Sequence, residues 1–560
     1  MEDRSNLLVH EVIEREVVSI PATPNASTPP LTPTGSHWAS IAPPFQGHTP
    51  SSGMLTPQGN GTYTPTPSST RPPSNLGSPA RQQPNPSSRL LRSPKVLFSP
   101  IGTPMRKALT NMRAYLEDIG HITKLDPQEA WLPITASRNG NAYYSAFHNL
   151  NASIGFQALL LPVALTFLGW TWGVLALVAA FIWQLYTLWI LIQLHEAVPG
   201  KRHSRYVELA QEAFGPKLGA WLAIFPVVNL SGGTATGLII IGGGTLELFY
   251  RTVCRDCHGG SLTTVEWYLV FTILCAILAQ LPNLNSIAGV SLVGAVMAVA
   301  YTTLVWTLSI SRPRPPGITY DTVKPDHTAG NIFSVLNALG IIAFAFRGHN
   351  LVLEIQGTMP SSLKHPAKSP MWRGAKVAFA IVAACYFPIA IAGYWAYGRM
   401  MLPSGILFSM YALHPDIPSP WMAITFLFVV LNSISSFQIY SMPMFDAFEQ
   451  SFTARKNKPT PLLARVAFRL FFTFFAFFVG VALPFISSFA GLLGGLTSVP
   501  VTFCYPCFMW LKIKKPPRFS FTWYLNWTLG ILGIVFSITF TAGGIWSIVD
   551  SGLTLNFFNP

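Results

Sequence analysis

The stretch that decides the fold is residues 337–356, which read NALGIIAFAFRGHNLVLEIQ. Twenty apolar residues suffice for a helix that crosses a bilayer, yet this run carries RGHN at its centre. A charge at that depth costs about 2.5–3.5 kcal/mol and therefore indicates a functional site. Arg347 has three interpretations: a contact at a helix break, an ion pair with Glu354 two turns on, or a snorkelling side chain near the membrane surface.

A second stretch, residues 146–165, reads AFHNLNASIGFQALLLPVAL and has the same character. Asn149, Asn151 and Ser153 are polar, and Gly155 follows them after Ile154. Irregular backbone at membrane depth is tolerated only where it lines a cavity within the protein. We therefore expect both helices to be broken, with the two breaks facing one site.

Around these two stretches the chain carries about eleven apolar runs, centred near residues 156, 184, 233, 273, 298, 344, 385, 434, 475, 498 and 537. Half of the residues are hydrophobic, 10% are charged and the mean hydropathy is +0.39. This composition predicts an all-α multi-pass membrane protein. The broken helices are the first and the sixth, and this offset of five predicts a 5+5 inverted repeat.

Lys and Arg set the expected orientation. Sixteen of them lie in one alternating set of loops, including Lys201, Lys364, Lys456 and Lys512, and six lie in the other. Positive residues favour the cytoplasmic side, so the N-terminus is expected inside and the short C-terminus, residues 551–560, outside. The same placement in short loops argues against nucleic acid as the reason for the net charge of +14. Without a cleavable signal peptide in the charged N-terminus, the first span is expected to serve as the element that targets the chain to a membrane.

Residues 1–100 are rich in Pro, Ser and Thr, and we expect a disordered cytoplasmic tail. Residues 101–142 contain an amphipathic segment that either lies on lipid or covers the cytoplasmic mouth, and residues 143–550 form the transmembrane domain. The tail is either a simple tether or a substrate of kinases. Its candidate sites are the residues that precede proline: Thr23, Thr28, Thr32, Thr49, Thr56, Thr64, Thr66, Ser78, Ser93, Ser99 and Thr103.

The sequence contains no residue pattern typical of an enzyme or of a metal site. Cys254 and Cys257 share a predicted extracellular loop and are candidates for a disulfide, since the loop has too few ligands for zinc. Cys504 and Cys507 lie within a span and are expected to be packing residues. No nucleophile, base or metal set has catalytic spacing, so we expect neither an enzyme, nor a metal site, nor a cofactor other than a coupling proton.

The two breaks suggest the chemistry of the ligand. Positive N-termini of half-helices hold a carboxylate and free carbonyl groups hold an ammonium, and an α-amino acid carries both groups on one carbon. We expect the amino acid to be bound by Asn151, Ser153, Ile154, Gly155, Phe344, Ala345, Phe346 and Arg347. For the proton the candidates are His148, His349, Glu354 and Asp446. We favour Glu354 with His349, because either histidine alone could be a satisfied buried residue and Asp446 is expected at the surface.

Several motifs together resemble the plant lysine/histidine transporter-type permeases of the amino acid/auxin permease family. They include residues 281–296, LPNLNSIAGVSLVGAV, residues 348–360, GHNLVLEIQGTMP, and residues 435–446, SSFQIYSMPMFD. The Thr/Pro-rich tail resembles one long-tailed branch of that group. The resemblance covers nearly the whole chain and implies proton-driven amino acid uptake. An amino acid sensor and a carrier of auxin-like carboxylates remain open.

Two positions depart from the family pattern at the expected site. In these permeases the sequence at the first break resembles a Gly-x-Gly pattern. In this chain Gly155 is followed by Phe156 and then by Gln157, which stands at the position of the second glycine. The sixth span of the family has a small residue where this chain has Arg347. The amino acid class is therefore better supported than the particular substrates lysine and histidine.

Overall fold

The computed structural model describes residues 131–550, apart from positions 137, 255–261, 285, 326, 363 and 484. The predictions for residues 1–100, for most of the segment 101–142 and for residues 551–560 lie outside this range. Within it the chain forms helices joined by loops, and no strand occurs among these residues.

The helices are numbered here in chain order. They are α1 (Ala142–Ser153), α2 (Gln157–Leu194), α3 (Tyr206–Phe214), α4 (Pro216–Val253), α5 (Thr264–Leu278), α6 (Ala288–Ile310), α7 (Thr328–Ala345), α8 (His349–Gly357), α9 (Lys368–Tyr397), α10 (Ile406–Leu413), α11 (Ser419–Lys456), α12 (Leu462–Ala482), α13 (Ile486–Leu493), α14 (Tyr505–Ile513) and α15 (Phe521–Asp550). A short 3₁₀ turn, Gly398–Met400, follows α9, and a π-helical segment, Gly494–Cys504, joins α13 to α14.

Nine helical stretches of the described chain are long and apolar enough to cross a membrane. The helix α2 is 38 residues long and contains the non-helical residue Gly169, which divides it into two parts. The helix α5 is apolar but has only 15 residues. Eleven spans follow only if α2 is counted twice and α5 is included, so the count of eleven and the 5+5 repeat stay predictions.

Large apolar side chains cover the outside of the bundle. Trp172, Ile182, Phe478 and Ile538 are all more than half exposed. A water-soluble protein rarely shows so many large apolar residues to solvent, whereas lipid tails solvate them readily. The structure is therefore that of a multi-pass membrane protein, with its polar groups gathered inside.

The first expected break is present in the structure. The helix α1 ends at Ser153, Ile154 takes an extended conformation with φ −99° and ψ 110°, and α2 begins at Gln157. At its other end α1 is capped by Asn141, whose side chain accepts hydrogen bonds from the backbone N–H groups of Tyr143 and Tyr144 at 2.9 and 3.0 Å. Such a cap satisfies N–H groups that a helix start leaves without partners.

The second expected break separates α7 from α8. The helix α7 ends at Ala345, and α8 begins at His349 after Gly348, which has φ 121°. A side chain strains this backbone conformation, so glycine is the residue that permits the turn. Arg347 thus lies between the two half-helices rather than inside a continuous helix.

Candidate functional site

The carbonyl groups exposed by the first break are satisfied by side chains from neighbouring helices. Four carbonyls each accept a hydrogen bond from a side chain: Asn151 from Ser436 at 3.1 Å, Ala152 from Tyr440 at 2.7 Å, Ile154 from Asn432 at 3.3 Å and Gly155 from Tyr301 at 2.8 Å. Buried carbonyl groups need such partners, and here α6 and α11 supply them. These bonds fix the backbone of the break in one geometry.

Tyr386 of α9 connects the two breaks. Its hydroxyl contacts the carbonyl of Ser153 at the first break and donates to the carbonyl of Ala345 at the second, at 3.0 Å. The same hydroxyl lies 3.2 Å from the side-chain amide of Gln157, which also donates to Ser153. A single phenol therefore ties both interrupted helices together.

Arg347 occupies the space between the breaks. Its guanidinium carbon lies 4.9 Å from the ring centroid of Phe156, 4.4 Å from that of Phe344 and 4.9 Å from that of Tyr440. The side chain is 1% exposed. It interacts electrostatically with Tyr440, but its three guanidinium nitrogens have no regular hydrogen-bond partner among the described residues. A buried, unpaired charge of this kind calls for an anion.

Two of the interpretations of Arg347 are corrected by this geometry. Burial excludes snorkelling to a membrane surface. No ion pair joins Arg347 to Glu354 in the described chain, and the charged groups that act on Glu354 are Asp446, Arg205 and Glu208. The prediction of an ion pair from the seven-residue spacing assumed one continuous helix. Arg347 instead precedes the start of α8, so the helical spacing does not apply.

Gly155 marks the space next to Arg347. A Cβ atom at this position would lie 2.9 Å from Oε1 of Gln157 and 3.7 Å from Nη2 of Arg347. Both side chains therefore face the glycine. Since a larger residue would fill the gap between them, Gly155 keeps the approach to the break open.

The structure places most of the predicted substrate-binding residues at the breaks, but their polar groups already form hydrogen bonds within the protein. The Asn151 side chain donates to Ser435 at 2.8 Å and accepts from Ser436 at 3.2 Å. The Phe346 ring packs against Tyr386, with 5.6 Å between ring centroids. The carbonyls of Ser153, Ile154 and Ala345 also have partners in this geometry, so the expected free carbonyls are occupied by protein groups.

The two favoured proton candidates lie in different surroundings. Nε2 of His349 is 3.1 Å from the carbonyl of Gln184 and 3.3 Å from the hydroxyl of Thr187, so it faces α2. Glu354 is 4% exposed, and the charged groups that act on it electrostatically are Asp446, Arg205 and Glu208. The ring nitrogens of His148 have no hydrogen-bond partner in the described chain. His349 and Glu354 thus do not form one site here.

We call Arg205, Glu208, Asp446 and Glu354 the Arg205 cluster. Nε of Arg205 lies 2.5 Å from Asp446, and Nη1 lies 2.5 Å from Glu208. Burial alone would lower the pKa of Arg205, but the two carboxylates raise it above its ordinary value. Asp446 was expected at the surface and that prediction is wrong: α11 continues to Lys456, and Asp446, which contacts Arg205 and the Ile134 N–H, is 1% exposed.

The chain just before α1 is fastened to the same end of the bundle. The Ile134 N–H donates to the Asp446 carboxylate at 3.2 Å, and the Gly140 N–H donates to the carbonyl of Thr358 at 2.9 Å. The Pro133 carbonyl accepts from the Leu284 N–H at 3.3 Å. We call residues 133–140 the strap. It links α11, the end of α8 and the loop before α6.

Other candidate sites contribute little. Cys254 takes part in a disulfide, while Cys257 lies outside the described residues, so their pairing stays a prediction. No His, Cys, Asp or Glu group with metal-binding geometry occurs in the described range. An apolar groove of about 820 Å³ runs along α1, α6, α9 and α11 past Tyr143, Phe147 and Trp421, with too few polar groups to hold a charged ligand.

Sequence reasoning missed the side chains that hold the breaks, notably Tyr301, Tyr386, Tyr440 and Asn432. Tyrosine also occurs in spans as core packing and at membrane surfaces, so its presence alone signals no role. Tyr440 lies in the quoted SSFQIYSMPMFD motif, yet only the crossing of α11 over the first break reveals its partner. The Asn432 amide in an apolar span was the strongest signal available.

Two interrupted helices that face each other around a buried charge define a class of membrane transport protein. The chain belongs to the transmembrane amino acid transporter family, whose model matches residues 138–549. This family consists of transporters rather than enzymes.

The relatives agree. Lysine histidine transporter-like 8 of Arabidopsis thaliana is 59% identical over 98% of this chain and 99% of its own length. Lysine histidine transporter-like 7 of the same plant is 43% identical over 78% of this chain and 90% of its own length. GABA transporter 1 of Arabidopsis thaliana is 28% identical over 71% of this chain and 88% of its own. The resemblance to lysine/histidine transporter-like permeases is thus confirmed.

Proposed function

We propose that this protein is a secondary active transporter that couples proton influx to the import of amino acids across the plasma membrane. Membership of an amino acid transporter family supports the substrate class. The observation that carries the proposal is the buried Arg347 guanidinium, which lies between two helix breaks without an acidic partner in the described chain. A zwitterionic or anionic ligand supplies the charge that this position lacks.

The orientation follows from the loop charges. Sixteen Lys and Arg in one set of loops against six in the other favour an N-terminus inside and a C-terminus outside. The Arg205 cluster and the strap then lie at the cytoplasmic end. The eleven-span, 5+5 inverted-repeat architecture belongs to this proposal, with α1–α2 and α7–α8 as the two corresponding interrupted helices.

The coupling proton is assigned to Glu354, with His349 as the second candidate. Glu354 is buried within electrostatic reach of Arg205, whose guanidinium already pairs with Asp446 and Glu208. A charged Glu354 is repelled by those two carboxylates, and uptake of a proton relieves that repulsion. No metal or organic cofactor is needed for this coupling.

The test is uptake of a radiolabelled amino acid by yeast that lacks its own amino acid carriers. Uptake at mildly acidic pH that an uncoupler abolishes supports proton-driven import. Specific binding without uptake would instead support the sensor, which uses the same pocket and signals through the tail. Competition by an auxin-like carboxylate but not by amino acids would support the third candidate.

A further inference from the structure

Two polar groups with unmet hydrogen-bonding capacity flank Gly155. The three guanidinium nitrogens of Arg347 lack a regular hydrogen bond, although the side chain is almost wholly buried. The Gln157 amide nitrogen contacts Ser153 and Tyr386, but its oxygen, Oε1, has no partner in the described chain. Buried polar groups normally have partners, so each unmet group here needs an explanation.

Both groups face one space. The position that a Cβ of Gly155 would take is 2.9 Å from Oε1 of Gln157 and 3.7 Å from Nη2 of Arg347. The nearby carbonyls of Gly155 and Ala345 already accept bonds from Tyr301 and Tyr386, and the carbonyl of Ser153 accepts from the Gln157 amide. Two groups beside the first break therefore still lack hydrogen-bond partners: the Arg347 guanidinium, a cation with several N–H donors, and Oε1 of Gln157, a neutral acceptor.

A carboxylate and an ammonium on one carbon complement this pair. Guanidinium binds a carboxylate through parallel N–H···O bonds, and an amide oxygen accepts from an ammonium. We propose that Arg347 binds the α-carboxylate of the substrate and that Gln157 binds its α-ammonium. This assignment rests on the proposed function and deepens it.

The assignment also gives a role to the aromatic rings around Arg347. The aromatic rings of Phe156, Phe344 and Tyr440 surround the guanidinium at 4.4–4.9 Å and partly compensate its charge while no substrate is bound. A carboxylate is a better partner than these rings, because it supplies a full negative charge in a dry site. Head-group recognition thus passes from backbone groups to two side chains.

The experiment measures binding to the purified full-length protein by calorimetry, with three ligands: a neutral amino acid, its methyl ester and its deaminated acid. Arg347→Met is expected to weaken binding of the free amino acid about 100-fold and not to weaken binding of the ester, which carries an ammonium but no carboxylate. Arg347→Lys keeps the positive charge but cannot form two parallel N–H···O bonds. Its affinity for the free amino acid should therefore lie between that of the unmodified protein and that of Arg347→Met. Because two ligands are compared on one variant, partial unfolding cancels from their ratio.

Gln157→Met is expected to weaken binding of the amino acid about tenfold and to leave the deaminated acid unaffected. Gln438→Met is the matched control. Gln438 is also a buried glutamine with an unpartnered oxygen, and its amide donates to the carbonyl of Cys275, away from the breaks. This control should bind all three ligands as the unmodified protein does.

Several results would overturn the assignment. Equal losses for the amino acid and its ester in Arg347→Met would exclude the carboxylate contact, and so would unchanged binding of the deaminated acid by that variant. Tighter binding of the free amino acid by Arg347→Met would show that the guanidinium hinders binding. In each case an unmodified protein that still transports amino acids preserves the proposed function, which fails only if that protein neither binds nor carries them.

Discussion

At the scale of single residues, Gly155 is the position most sensitive to added volume. We expect Gly155→Val to abolish uptake while the protein still reaches the cell surface, because the new side chain would press on Gln157 and reach toward Arg347. Uptake and surface labelling are measured together. Gly289→Val is the control, since nothing lies within 4 Å of a Cβ at Gly289. Normal uptake by Gly155→Val would remove this glycine from the site.

Arg347 should also set selectivity. A second cation 4 Å from the guanidinium is repelled by about 4 kcal/mol at an effective dielectric of about 20, so lysine should be a poorer substrate than neutral or acidic amino acids. Glu354 does not offset this field, because it belongs to the Arg205 cluster. In competition assays Arg347→Ala should lower uptake overall yet raise the ratio of lysine to leucine about tenfold. Lysine as the best substrate of the unmodified protein would contradict this prediction.

At the scale of helices, Tyr386 carries the connection between the two breaks. Tyr386→Phe should lower uptake about tenfold, because it leaves buried carbonyls of both half-helices short of a donor. Tyr394→Phe is a matched control in the same helix, since that hydroxyl bonds the carbonyl of Tyr320 far from the breaks. Equal uptake by the two variants would show that the shared phenol is not needed.

The sequence predicted these helices unevenly, and the reasons are physical. Polar residues and glycine within apolar runs were enough to predict both breaks. Lipid cannot hydrogen-bond to irregular backbone, so such residues at membrane depth indicate a break that faces the protein interior. The Arg347–Glu354 pairing failed because helical periodicity does not continue through Gly348. Asp446 was placed at the surface because it lies near the end of a span, and its burial depends on tertiary contacts with Arg205 and Ile134 that periodicity does not encode.

At the scale of the whole molecule, the Arg205 cluster should govern the pH dependence of transport. Glu354→Gln removes the titrating carboxyl group while keeping its size, so uptake should lose most of its variation between mildly acidic and neutral pH. The exposed Glu212→Gln is the control and should keep the full profile. An unchanged profile in Glu354→Gln would place the coupling proton elsewhere.

The same cluster should contribute to stability. Asp446→Ala leaves the buried Arg205 with only Glu208, and losing one partner of a buried pair costs about 3–5 kcal/mol. We expect a lower midpoint of thermal unfolding in detergent. Adding Arg205→Met should restore part of the loss, since no buried charge then remains unpaired. A double variant as unstable as the sum of the two single variants would exclude this coupling.

The strap makes the start of the first span a mechanical connection. Its three backbone hydrogen bonds, at Pro133, Ile134 and Gly140, join it to three separate elements within eight residues. A displacement of the chain at Pro133 must therefore either break these bonds or carry Leu284 and Asp446 along. The start of the first span is thus coupled directly to α8, α11 and the loop before α6.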